Sequence, residues 1–345
     1  MEISFLIFLG GGLFLGWALG ANDSANVFGT AVGTRMLRFG VAATLCSIGV
    51  VLGAVISGAG PTETLNKLAS IDALSDAGIA SACAGLTVFL MTWRGVPVST
   101  SQAVVGALIG WNTWNGIATD TQVITKIVMT WALCPILAAV IAAILLPLTG
   151  LALRISRMHL FRQDALTRYA LIVAGVFGAY SLGANNIANV MGPFVEVVQF
   201  DAVDFYGLFS LTSLQQLFLL GGIAISIGVF TYSRRVMFTV GRDLYNLSPV
   251  AGWVVIMAHS IVLFLFASKG LSAWLNGVGL PQMPLVPISS SQAVIGAILG
   301  IGLIRGRHGI RWGVLGEIGL GWLLTPLISA LICITALAAF YRFLG

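Results

Sequence analysis

Polar side chains able to hold an oxyanion or a cation occur at four places in this chain, each embedded in apolar sequence. Two are runs of hydroxyls: Ser99, Thr100, Ser101 and Gln102 within VPVSTSQAVVGALIG (96–110), and Ser289, Ser290, Ser291 and Gln292 within VPISSSQAVIGAILG (286–300). Two are carboxamide clusters: Asn22, Asp23 and Asn26 in GANDSAN (20–26), and Asn185, Asn186 and Asn189 in GANNIAN (183–189). The segments pair off, and ten of the 15 aligned positions of the hydroxyl pair are identical. Small polar segments at matching places in two halves of a membrane chain point to a site for a transported solute.

The chemistry follows from local structure. Proline suits the first position of a helix, and Ser or Thr its cap. In both runs the pattern is Pro, hydroxyls, then an apolar helix body, predicting helices over about 98–111 and 288–303. Their N-termini would offer free N–H groups and partial positive charge to an anion. The hydroxyls and the amides of Gln102 and Gln292 add hydrogen bonds without fixed charge. Two such ends meeting near the bilayer midplane would hold a tetrahedral oxyanion, with Asn22 and Asn185 beside it. The competing reading is plain helix capping; duplication with the Gln retained argues against it.

In GANDSAN, Asn22 and Asn26 share a helical face, and Gly20 is expected to permit local unwinding. Asp23 lies in an apolar stretch, where a carboxylate is costly and marks function. With Asn26 it would bind Na+, or the carboxylate alone would carry H+. Asn186 and Asn189 occupy the matching places in the second copy, which has no carboxylate.

The elements that must position these groups are membrane spans. The chain is 58% hydrophobic and 8% charged over 345 residues, against about 25% charge in soluble domains. Apolar runs of spanning length recur. The run at 3–20 continues straight into GANDSAN and is read as mature protein. The net charge of +5 reflects loop topology and not a nucleic-acid partner. Cys46, Cys83, Cys134 and Cys333 lack metal-ligand spacing and read as packing residues; His159, His259 and His308 form no cluster.

Loop charges relate the halves. Arg35 and Arg38 follow the first GAN motif; Glu196, Asp201 and Asp204 follow the second. Residues 61–76 carry Glu63, Asp72 and Asp76, and their counterpart 231–243 carries Arg234, Arg235 and Arg242. Opposite signs at matching loops place them on opposite sides of the membrane, as in an inverted-topology repeat. The expected fold is an all-α polytopic membrane protein of two inverted repeats, 1–155 and 169–345, joined by a cytoplasmic linker at 156–168. Both termini are expected outside. Ten crossings are counted. Two of them, the hydroxyl-run helices, are about 21–24 Å long and are expected to be half-helices of re-entrant hairpins.

At these residues the chain resembles the inorganic phosphate transporter (Pit-type) family. GANDSANVFGTAVGT matches that family's first signature, GANNIANVMGP resembles its second, and VPVSTSQ and VPISSSQ match its paired serine signatures. The resemblance covers essentially the whole chain, without the large central loop of many members. It implies a homodimeric symporter in the plasma (inner) membrane, moving inorganic phosphate with Na+ or H+ and needing no other cofactor. It implies that the Ser/Thr runs help hold the anion and that the Asn/Asp motifs serve anion and cation. The chain departs from the family at Asn186, where members usually carry Asp; at Val50, where many carry Glu; and at Gln102 and Gln292, where many carry His. A protonated phosphate can donate to a carboxylate and sulfate cannot, so lost carboxylates relax the bias against sulfate. Sulfate permeases of the family resemble this chain in lacking the Glu. Phosphate stands first because Asp23 and the first signature are intact, with sulfate as the alternative.

Two other classes are weighed. An intramembrane enzyme needs a nucleophile beside a base, and the sequence puts no His near either hydroxyl run. A passive anion channel has no use for the buried charge of Asp23.

Overall fold

Hydropathy dictates the first level of structure. The computed structural model of the chain describes residues 3–93, 98–205, 209–243, 247–306 and 312–343. Among them, eight helices are long and apolar enough to cross a membrane: α1 (Ile3–Gly33), α2 (Phe39–Ser57), α4 (Leu74–Trp93), α6 (Thr121–Ser156), α7 (Leu160–Met191), α8 (Ser213–Thr231), α10 (Pro249–Ala267) and α13 (Trp312–Phe343). Shorter helices lie between them: α3 (Ala59–Leu68), α5 (Thr100–Trp114), α9 (Ser233–Asp243), α11 (Lys269–Gly277) and α12 (Ser290–Arg305). A small hairpin, β1 (Val203–Phe205) against β2 (Phe209–Leu211), departs from the helical pattern, with Val203 opposite Leu211.

Lipid solvates what the protein does not bury. Along α6, Met129, Leu133, Ile136, Val140 and Ile144 are exposed; along α13, so are Leu320, Leu323, Leu327 and Leu331. Spacings of three to four residues make each set one helical stripe. By contrast α10 is the most enclosed of the eight spans.

The packing is reciprocal. Helix α2 lies against α7 and α8 against α1; α4 packs on α1 and α10 on α7; α5 packs on α13 and α12 on α6. Glycine permits the tightest of these approaches, as small residues do between membrane helices. A Cβ at Gly106 of α5 would lie 2.2 Å from the Pro326 carbonyl oxygen of α13. One at Gly296 of α12 would lie 2.2 Å from that of Pro135 in α6.

Several expectations need correction. Gly20 does not unwind α1, which runs unbroken through GANDSAN, as α7 does through GANNIAN. Its task is packing: a Cβ there would sit 1.9 Å from the Ile225 carbonyl oxygen of α8. The segments read as loops at 61–76 and 231–243 contain α3 and α9. In α3 the charged Glu63 and Lys67 are exposed while Thr64, Leu65 and Leu68 are buried. A short amphipathic helix thus carries the charges that resemble a loop. Glu63 reaches Lys269 of α11 in an ion pair. Of the polar stretch 156–168, most is the first turns of α7, which starts at Leu160 behind the N-cap His159.

Candidate functional site

Helices α5 and α12 begin alike. Ser99 caps α5, its Oγ accepting the Gln102 backbone N–H at 3.3 Å; Ser289 caps α12, accepting that of Gln292 at 3.3 Å. In both, the cap oxygen satisfies one of the helix's free donors and leaves the others to different partners. Proline is not the first helical residue, as the pattern predicted. Pro287 lies two residues before the cap of α12, in an extended segment that delivers the chain to it. Pro97 lies outside the described residues. The eight residues Ser99–Gln102 and Ser289–Gln292 are all buried, none more than 5% exposed.

The four motifs meet in one hydrogen-bonded network. Asn185 of α7 grips the peptide before α12 twice: its Nδ2 donates to the Ile288 carbonyl at 2.9 Å, and its Oδ1 accepts the Ile288 N–H at 3.1 Å. The same carbonyl accepts from Ser101 Oγ of α5 at 3.0 Å. Asn189 Nδ2 donates to Ser101 Oγ at 2.9 Å and to Asn186 Oδ1 at 3.0 Å. From α1, Asn26 Nδ2 donates to Ser290 Oγ at 2.9 Å, and Asn22 Nδ2 reaches the Val98 carbonyl at 3.4 Å. So each long helix carrying a GAN motif touches the start of a short helix, and Asn26 and Asn189 do so across the two halves of the chain.

Asp23 is buried at 2% exposure, its Oδ1 accepting from Asn22 Nδ2 at 2.8 Å. The matching Asn186 Oδ1 accepts from Asn185 at 3.2 Å. The geometry of the pair is alike, and the charge differs.

Several buried atoms here have no partner among the described residues: the Thr100 hydroxyl, Asn186 Nδ2, the side-chain oxygens of Gln102, Gln292 and Asn189, and Ser24 Oγ. Each unpaired buried polar group costs about 1–3 kcal/mol. Such groups concentrate where a protein binds something. The hydroxyl and amide N–H are donors that suit an oxyanion. The amide oxygens, like the Asp23 carboxylate, are hard oxygen ligands of the kind Na+ takes, so the residue types present fit a cation as well. Among the described residues no three His, Cys, Asp or Glu side chains cluster as a transition-metal site would need.

Sequence reasoning missed one member. His259 of α10, fully buried, places Nε2 2.8 Å from Ser290 Oγ. The expectation that no histidine lies near a hydroxyl run is therefore wrong. His259 is 31 residues from Ser290 in sequence, and only the packing of α10 on α12 joins them. The signal was present: an ionisable residue inside the apolar run WVVIMAHSIVLF (253–264) marks function by the rule applied to Asp23. Cys134 of α6 also touches the site, its Sγ 3.7 Å from the Ser289 carbonyl.

Known proteins resemble the chain over the stretch that carries these motifs. The model of the phosphate transporter family matches residues 19–333, a range that includes all four. A candidate phosphate permease of Methanocaldococcus jannaschii is 29% identical over 332 residues, covering 96% of each chain. The sulfate permease CysP of Bacillus subtilis is 26% identical over 358 residues, covering 99% of this chain and 89% of its own. Among solved structures, the sodium-dependent phosphate transporter superposes with a TM-score of 0.76 at 22% identity, covering 99% of this chain and 100% of that one, which establishes a common fold. The chain belongs to the phosphate transporter family, whose members are membrane transporters and not enzymes.

Proposed function

We propose that the protein is a secondary active symporter of inorganic phosphate across the plasma (inner) membrane, coupled to Na+ or H+. One observation carries the reading. The N-termini of two short helices, one from each half, meet at the Ile288 carbonyl, with their hydroxyls and the carboxamides of both GAN motifs around them. Helix N-termini, hydroxyls and amide N–H groups bind an oxyanion without a fixed positive charge that would hold it too tightly to release. In this reading Asn22, Asn185, Ser99–Gln102 and Ser289–Gln292 bind the anion. Asp23, Asn26, Asn186 and Asn189 serve the coupling cation, with Asp23 as its charged ligand. A passive channel would have no use for that carboxylate.

The inverted-repeat topology is part of this reading, supported by the reciprocal packing and the opposite loop charges, with α5 and α12 as the returning arms of re-entrant hairpins and both termini outside. A homodimer is expected from the family resemblance. Sulfate is the second reading, favoured by Asn186. With no second carboxylate in the GAN motifs, an anion without protons leaves fewer acceptors unpaired. The deciding experiment is radiolabelled uptake into proteoliposomes, phosphate against sulfate, with Na+ and pH gradients imposed separately. No accumulation of either anion under any gradient would overturn the proposal.

A further inference from the structure

The contact between His259 and Ser290 constrains where protons can be. A hydroxyl has one proton to donate and two lone pairs to accept with. Ser290 Oγ accepts from Asn26 Nδ2 at 2.9 Å. With a neutral imidazole, two arrangements remain. Either Ser290 donates its proton to a bare Nε2, or Nε2–H donates to Ser290. In the first, the Ser290 hydroxyl has nothing left to give an anion. In the second, both lone pairs are filled and its O–H is free. An imidazolium permits only the second. The other ring nitrogen, Nδ1, is buried and has no partner among the described residues, none of which holds it in either state. Among the described residues the counterpart of Ser290 in the first run, Thr100, has no hydrogen-bond partner for its hydroxyl, a histidine included.

We propose that His259 is a proton-binding residue of the anion site: a proton taken up on its imidazole commits Nε2–H to Ser290 and turns the Ser290 O–H toward the anion. The proposal rests on the reading of Ser290 as an anion ligand. The balance is simple. One N–H bond forms on the ring, the proton comes from water on the side where the anion enters, and it returns to water where the anion leaves. A dianion and this proton together carry one negative charge, giving the second half a titratable group where its GAN motif has only Asn186. Other titratable or charged groups on the helices packed against α10 are few. Helix α1 brings Asp23, and α6 brings Cys134 at the site, with Lys126 and Arg154 towards its ends. Helix α7 brings Tyr180, bonded to Ser57, and, near its start, Arg162, the Asp164–Arg168 pair and Tyr169; α3 brings Glu63 and Lys67; α12 brings Arg305 at its far end. Among the described residues no carboxylate forms an ion pair with His259.

The test is calorimetric binding of phosphate, and separately of sulfate, in buffers of different ionisation enthalpy, which counts protons taken up per anion. The variant His259→Gln keeps an amide donor for Ser290 and cannot titrate. Subtracting its proton count from that of the wild type removes the anion's own titration. Above the ordinary histidine range of about 6.5, wild type should take up about one proton more per anion than the variant. Its affinity should fall about tenfold more per pH unit than the variant's. Equal proton counts overturn the proposal. If neither protein binds either anion, the anion-site reading falls with it. Should His259→Gln fail to fold, replacing His159 and His308 leaves a single imidazole in the chain. Its 15N signals should change from neutral to imidazolium when phosphate is added near pH 8, and an unchanged neutral spectrum with phosphate bound overturns the proposal.

Discussion

The two GAN motifs hold their short helices unequally, and this predicts an inequality that hydrogen exchange can read. Asn185 makes two bonds to the Ile288 peptide, at 2.9 and 3.1 Å, whereas Asn22 makes one long contact, at 3.4 Å, to Val98. Asn185→Ala leaves the Ile288 N–H buried without a partner, a cost of about 1–3 kcal/mol. The Ile288 carbonyl loses less, because Ser101 still donates to it. If that cost comes out of the local opening free energy, exchange at Ile288 and the first turn of α12 rises about 5- to 150-fold. Asn22→Ala also takes a donor from Asp23, but at the start of α5 it removes only a weak donor to the Val98 carbonyl, worth about 0.6 kcal/mol there by the average for membrane helices, or about threefold. The assay is hydrogen–deuterium exchange with peptide mass spectrometry on purified protein, comparing segments over 286–292 and 98–102 in wild type and both variants. The segment before α12 should loosen strongly in Asn185→Ala, and the start of α5 hardly at all in Asn22→Ala. Equal loosening, or more at α5, would refute the claim that the two starts are held by different means.

Three further expectations concern function and topology. Asp23→Asn should abolish gradient-driven accumulation while anion binding persists in weakened form, and undiminished accumulation would make Asp23 a structural group. Replacing Ser101 and Ser291 together by Ala should lower anion affinity about 8- to 300-fold, since Ser101 alone carries two buried bonds of about 0.6–1.7 kcal/mol each that set the site's geometry; wild-type affinity in the double variant would remove the hydroxyls from the site. Cysteines at the exposed positions Ser70 and Arg234 should react with an impermeant thiol reagent from opposite faces of the membrane, and labelling from one face would refute inversion there.

The long helices were legible because the bilayer demands one simple property, an apolar run of sufficient length, and α1, α2, α4, α6, α7, α8, α10 and α13 each have it. The starts of α5 and α12 were legible because Ser99 and Ser289 carry a capping signature that is local in sequence. What failed was whatever depends on a distant partner. Gly20 has two uses, unwinding and close packing, and only the Ile225 carbonyl of α8 decides between them. Charges on α3 and α9 resemble loop charges because a short amphipathic helix exposes the same residues. His259 stayed hidden because its meaning comes from Ser290 and from no neighbour in its own helix.

The reciprocal docking of α5 on α13 and α12 on α6 also bears on how the protein is made. Helix α5 is 15 residues long, about 22 Å, and has a polar start that lipid does not solvate. The face it buries through Gly106 belongs to α13, which is synthesised about 200 residues later. Until then α5 is seated on one side only, against α4 and α3, where Trp111 donates to Asp76 and Asn112 to the Leu68 carbonyl. The later pair has the opposite history: α6 is already in the bilayer when α12 emerges. The second side of that seat is therefore supplied only when α13 arrives, and a chain cut before α13 lacks the backbone against which Gly106 of its first hydroxyl-bearing helix is set.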